Sequence, residues 1–140
     1  MAVANLVSRV NNSPEIIAAA LLHDVVEDTP ITLEQIDREF GSKVSQLVFW
    51  LTDTELKEGN RKTRNALDRQ RIAKAPADAQ TIKLADLIHN TSSIVDHDRQ
   101  FARVYLREKA DLLAVLVKGD DFLYGLAIAL LEDSKLKLHG

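Results

Sequence analysis

Four side chains that bind metals and protons stand together in the stretch AALLHDVVEDTP: His23, Asp24, Glu27 and Asp28. Residues four apart on a helix share a face, so a helix here would set His23 over Glu27 and Asp24 over Asp28. Carboxylates in the last turn oppose the negative end of the helix dipole, and a nearby cation offsets that repulsion. The residues alone allow two readings. One is an exposed helix end with a chance histidine; the other is a polar cluster, closing a buried helix, that holds a cation. The wholly apolar IIAAALL just before the cluster argues for burial, where an acidic end without a partner is costly.

A second candidate lies in KLADLIHN, where Asp86 is a lone carboxylate on a mostly apolar helix and Asn90, one turn on, shares its face. Lys83, one turn earlier, offers the structural alternative of simple neutralisation, and His89 reads as a surface group. Imidazole and carboxylate donors without sulfur suit a divalent first-row ion such as Mn, Fe or Zn, which makes a bound water acidic enough to attack phosphorus. The basic segment RKTRNALDRQR supplies cations for a phosphate-rich substrate: Arg61, Arg64 and Arg71 along one side, with Lys62 and Arg69 flanking. Its alternative is a solvated face with Asp68 as internal partner.

The elements that must position these groups read as helices throughout. With 140 residues the chain fits one domain, and only five Gly and three Pro interrupt apolar residues that recur at three- and four-residue intervals. Ser13-Pro14-Glu15 starts a helix expected from about 14 to 28, stopped by Thr29-Pro30. Thr32 with Gln35 forms a capping box for LEQIDREF, ended by Gly41. The next helix begins near Ser42 with Val44, Leu47, Val48 and Leu51 on one side and ends in the polar TDTELKEGN. A surface helix with little apolar grip, chiefly Leu67 and Ile72, covers about 61 to 74. After Pro76 come a helix carrying Ile82, Ala85, Leu87, Ile88 and Ile94, a loop with His97, a helix over about 99 to 117, a break at Gly119-Asp120 and a last helix, FLYGLAIALLEDSKL.

Composition narrows the function. There is no cysteine, which excludes disulfides, thiolate metal sites and cysteine nucleophiles and suits a reduced compartment such as the cytoplasm. The apolar runs fall far short of a membrane span, and a net charge of −3 argues against a general DNA binder. A homo-oligomer is compatible with the composition.

In order and spacing, ALLHDVVEDTP, then FG and LT, RK with an Arg-rich helix, TIKLADLIHNTSSIV and YLREK resemble the hydrolase domain of RelA/SpoT homologues, enzymes of the HD superfamily that degrade guanosine tetra- and pentaphosphate. The resemblance covers about residues 2 to 116. It implies a compact all-α domain that holds one Mn²⁺ and removes the 3′-pyrophosphate of the nucleotide by water attack. By position it makes His23, Asp24 and Asp86 metal ligands. Glu27 and Asp28 would activate or orient the water, Asn90 would contact the nucleotide, and Lys62 and Arg64 would meet its phosphates. The family's fourth ligand, the histidine of a His-Pro pair, comes just before a segment like MAVANLV. The chain is therefore expected to be N-terminally incomplete relative to the family, either clipped or a short form of altered activity. The alternatives are a related hydrolase acting on another nucleotide, and an inactive domain that binds nucleotide or a partner as a regulator.

Overall fold

A computed structural model describes residues 2–52, 60–97 and 99–139, and every regular element among them is an α-helix. In chain order these are α1 (Ala2–Ser8), α2 (Pro14–Leu21), α3 (Val25–Asp28), α4 (Leu33–Phe40), α5 (Ser42–Leu51), α6 (Arg61–Ala73), α7 (Ala77–His97), α8 (Arg99–Leu113) and α9 (Asp121–His139). The all-α expectation holds. Helix α7 is the axis of the fold, packed against α1, α2, α5, α8 and α9. Its Ile82, Leu84, Ala85, Leu87 and Ile88 are buried, so one face after another of this helix meets a neighbour. Burying a Leu or Ile side chain contributes about 1.5–3 kcal/mol, and that is what lets α7 carry the lone carboxylate of Asp86 among apolar residues.

Several local signals act as the residue chemistry dictates. Thr32 Oγ1 accepts from the Gln35 backbone N–H (3.2 Å) while Gln35 Oε1 accepts from the Thr32 N–H (2.8 Å), closing the capping box of α4. Gly41 follows with φ 94° and ψ 168°, backbone angles open in practice only to glycine. A Cβ there would meet no atom within 4 Å, so any cost of a side chain is backbone strain alone. Gly41→Ala is therefore expected to lower stability by about 1–3 kcal/mol in urea unfolding, with no loss of packing. Gly119 is needed for the opposite reason: a Cβ would stand 3.3 Å from the Gln80 carbonyl carbon and against the Leu84 side chain, where the turn before α9 presses on α7. Val44, Leu47, Val48 and Leu51 are buried on α5 as their spacing predicts, and Ile72 is the buried anchor of α6.

The structure corrects four expectations. The helix expected over 14–28 is broken: α2 ends at Leu21 and α3 begins at Val25, with a turn between. Ser13 occupies the N-cap position of α2 without capping it, since its hydroxyl donates to Glu15 Oε2 at 2.9 Å. The helix expected to reach 117 stops at Leu113, and α7 runs to His97, so that residue belongs to a helix and not to a loop. Helix α1 had no counterpart in the sequence reading, although Val3, Ala4 and Val7 bury a face at helical spacing. The segment 53–59 and the side chains of His97 and His139 lie outside the described residues.

Candidate active site

The break between α2 and α3 builds the site. His23 Nδ1 donates to the Ala20 carbonyl at 2.6 Å, and so holds the ring in place across the turn that ends α2. This side-chain bond competes with regular helix bonding, turns the chain, and fixes the ring with Nε2 facing inward. The turn sets His23 outside regular helix, whereas Asp24 keeps helical register with Asp28, whose backbone N–H donates to the Asp24 carbonyl at 2.9 Å. Asp24 sits at the N-cap of the single turn α3.

Asp86, supplied by the middle of α7, closes the cluster from the other side. His23 Nε2 lies 3.0 Å from Asp24 Oδ2 and 3.5 Å from Asp86 Oδ1. Asn90 donates its amide to Asp86 Oδ1 at 3.1 Å, and Lys83 Nζ stands 3.5 Å from Asp86 Oδ2. Asp86 meets the histidine, and Lys83 neutralises it as the structural alternative expected. These groups line a cleft of about 360 Å³ with Ala2, Val3, Glu27, Leu51 and His89. Glu27 lines it from α3, while Asp28 is exposed outside the lining, close enough for its charge to act on Asp24.

The electrostatics are those of a preformed ion pair with one strained member. The hydrogen bond to Asp86 pushes the His23 pKa up, against the opposing effect of burial. Burial alone would push Asp86 up, but the His23 hydrogen bond with the charges of Lys83, His23 and Lys109 hold it well below the usual carboxylate range. Asp24 is pushed up, first by burial and then by the neighbouring Asp86 and Asp28, in spite of His23. In the metal-free chain the raised His23 contributes stability that is complete below its ordinary value of about 6.5 and is lost as the pH rises through the raised value. Melting temperatures measured with chelator are therefore expected to fall as the pH climbs above about 6.5, and to do so less in His23→Gln. A flat profile in the parent chain would count against the pair.

His23, Asp24 and Asp86 are of the donor types that a divalent first-row cation takes. Among the described residues no group of three such side chains is arranged to hold an ion as it stands, and His23 is engaged with both carboxylates. The imidazole nitrogen stands 3.0 Å from the Asp24 oxygen and 3.5 Å from the Asp86 oxygen, and ligands held at about 2.0–2.2 Å from one ion are themselves about 3 Å apart. With Nδ1–H committed to Ala20, the neutral ring turns a lone pair toward two carboxylates, an arrangement that needs either a proton or a metal ion between them.

A second cleft adjoins the first, sharing Leu51 and Lys83, and is walled by α5, α6, α7 and α8. Its cations are Arg69, Arg71, Lys83 and Lys109. Lys62 and Arg64, the expected phosphate contacts, are exposed on α6 and line neither cleft. Arg61 is bound to Glu108 by bonds of 2.9 to 3.2 Å and lies over Phe101, clasping α6 to α8. Arg71 donates to the Phe49 and Thr52 carbonyls at the end of α5. The basic face is thus split between structural clasps, cleft cations and solvent. Lys109 was not singled out from the sequence because α8, on which it stands, carries charges all along its length.

The family model described as HD domain matches residues 1–119. A guanosine-3′,5′-bis(diphosphate) 3′-pyrophosphohydrolase of Haemophilus influenzae is 37% identical over 98 residues, 67% of this chain and 14% of that protein. The Danio rerio enzyme of that name, MESH1, is 40% identical over 80 residues, 54% of this chain and 41% of that protein. The chain therefore spans less than half the length of these relatives. Among solved structures, a metazoan ortholog of SpoT that hydrolyzes ppGpp superposes with a TM-score of 0.84 at 26% identity, over 94% of this chain and 77% of that one. A Listeria monocytogenes protein shares the fold at a TM-score of 0.78 and 21% identity, over 95% of this chain and 92% of its own. With the family model covering most of its length and the fold in accord, the chain belongs to the HD domain family.

Proposed function

We propose that this chain is a phosphohydrolase that removes the 3′-pyrophosphate of guanosine tetraphosphate or pentaphosphate, working as one domain over residues 1–140 in the cytoplasm. Hydrolases of the HD domain are metal-dependent. The observation that carries the reading is the convergence of His23, Asp24 and Asp86 in a cleft that Glu27 and Asn90 also line, beside a second cleft walled by cations.

His23, Asp24 and Asp86 would hold the ion, taken as Mn²⁺; other divalent first-row ions satisfy the same donors. Once bound, such an ion polarises phosphoryl oxygens and lowers the pKa of water. Glu27 takes the proton of the attacking water, and Asp28 beside it helps to orient that water. Asn90 keeps the Asp86 carboxylate in place through its amide and contacts the nucleotide. The cations of the second cleft offset the charge of the polyphosphate, with Lys62 and Arg64 meeting its outer phosphates from the exposed face of α6. The water oxygen bonds to the phosphorus on the 3′ oxygen, the bond to that oxygen breaks, and pyrophosphate leaves as the 3′ oxygen gains a proton.

The test is pyrophosphate release from guanosine tetraphosphate by the purified chain with Mn²⁺. Stoichiometric release with the matching diphosphate as product is expected. Binding without release would replace hydrolysis by a nucleotide-binding regulatory role, and release from another nucleotide alone would move the substrate.

A further inference from the structure

The second cleft differs from the first in kind. It measures about 90 Å³ against about 360 Å³, and its charged lining is mostly cationic where the first gathers metal donors. Arg69 and Arg71 come from α6, Lys83 from α7 and Lys109 from α8, with Asp68 and Glu108 as the acids among them. Glu108 is already committed to α6: its carboxylate accepts from the Arg61 guanidinium and from the Asn65 amide. Its charge is thereby offset by a cation that does not line the cleft. Arg71, held by the Phe49 and Thr52 carbonyls and stacked 4.3 Å from the centre of the Phe49 ring, contributes charge at a fixed place. Lys109 is partly buried, its Nζ stands 5.0 Å from the centre of the Tyr105 ring, and its charge reaches Asp86. Arg69 is partly buried on the same lining. The result is a small positive hollow, tight for a purine but of the chemistry that takes a phosphate, since guanidinium and ammonium groups donate charge-assisted hydrogen bonds to phosphate oxygens.

The place of the hollow decides which phosphate it suits. Leu51 and Lys83 line both clefts, so the two meet along these side chains. Lys83 Nζ, 3.5 Å from Asp86 Oδ2, stands between the His23-Asp24-Asp86 cluster and the cations of the second cleft. The two diphosphates of guanosine tetraphosphate leave one ribose ring by its 3′ and 5′ oxygens and diverge, so they call for two adjoining sites and not for one. We propose that the second cleft is the subsite for the 5′-diphosphate of the nucleotide, held by Arg69 and Lys109, with Lys83 between the two arms. The assignment rests on the hydrolase reading for what lies in the first cleft, where the 3′-diphosphate meets the cluster and the nucleoside lies beside Asn90. It adds a rule of specificity: the chain selects nucleotides that carry phosphate on both sides of the ribose.

Binding and turnover test the subsite separately. With chelator present, guanosine 5′-diphosphate is expected to bind the whole chain in calorimetry. Lys109→Met and Arg69→Gln are each expected to raise its dissociation constant at least about ten-fold, the loss of one charge-assisted hydrogen bond. Because the two residues stand on different helices, a folding defect in one variant leaves the other to decide. Arg103→Gln, which removes the same charge from an exposed position of α8 outside both clefts, is expected to change the constant by less than about two-fold, as screening requires. With Mn²⁺, Lys109→Met is expected to lower kcat/KM for guanosine tetraphosphate at least about ten-fold more than for guanosine 3′-diphosphate, which lacks the second arm. Equal losses on the two substrates would give the second cleft to the end of the 3′ arm and overturn the proposal. Binding of the 5′-diphosphate that ignores both Lys109→Met and Arg69→Gln would overturn it as well. A chain that binds the 5′-diphosphate through these residues yet releases no pyrophosphate would uphold the subsite and overturn the hydrolase reading instead.

Discussion

His23→Ala and Asp86→Asn are each expected to abolish Mn²⁺ binding in calorimetry and to lower pyrophosphate release by at least about 10³-fold. The size of the effect comes from the proposed donor count: with His23, Asp24 and Asp86 as the three donors, removal of one would leave too few to hold the ion against water. Asparagine is the better probe at position 86. The Asp86 carboxylate is mostly buried and is met by His23, Lys83 and Asn90. Deleting one member of such a pair leaves the others without a partner, which costs about 3–5 kcal/mol and would confuse unfolding with loss of metal. Asparagine keeps the shape and one acceptor for the Asn90 amide. Circular dichroism melts of both variants, run with chelator, separate the two effects. A variant that binds Mn²⁺ and turns over like the parent would remove that residue from the ligand set.

Glu27→Gln should divide metal binding from turnover. Glu27 lines the cleft from α3, a turn beyond the His23-Asp24 pair, and glutamine keeps its length and its place while giving up the base. Mn²⁺ affinity is expected to stay within about three-fold of the parent, KM to change little, and kcat to fall by about 10² to 10⁴, the usual worth of a positioned general base. Parallel loss of metal and turnover would make Glu27 a ligand. An unchanged kcat would pass the role of base to Asp28, for which Asp28→Asn is the matching variant.

The resemblance in HDVVED and KLADLIHN pointed to the residues of the cluster with no knowledge of the fold, and the structure places His23, Asp24, Asp86 and Asn90 together with Glu27 in the same cleft. Asp28 was less well placed by its sequence position, since it faces solvent beside the cleft. The basic helix was read least well. Arg61, Lys62, Arg64, Arg69 and Arg71 look alike in the sequence, yet Arg61 is clasped by Glu108, Arg71 caps the end of α5 and lines the second cleft with Arg69, and Lys62 and Arg64 face water. Each fate depends on a partner from another helix, and helical spacing within α6 carries no information about those partners.

By itself the sequence determined the helical class, the capping box at Thr32, the stop at Gly41, the buried faces of α5 and α7, and the chemical types of the candidate ligands. These follow from interactions within a few residues, where spacing and side-chain type decide the outcome. Tertiary structure decided the turn after Leu21, the meeting of His23 with Asp86, and the choice of Arg69, Lys83 and Lys109 over Lys62 and Arg64 as cleft cations. The reason is physical. The turn is held by the His23 ring on the Ala20 carbonyl and on Asp86 of α7, and a cleft exists only between helices that hydrophobic packing around α7 has already brought together.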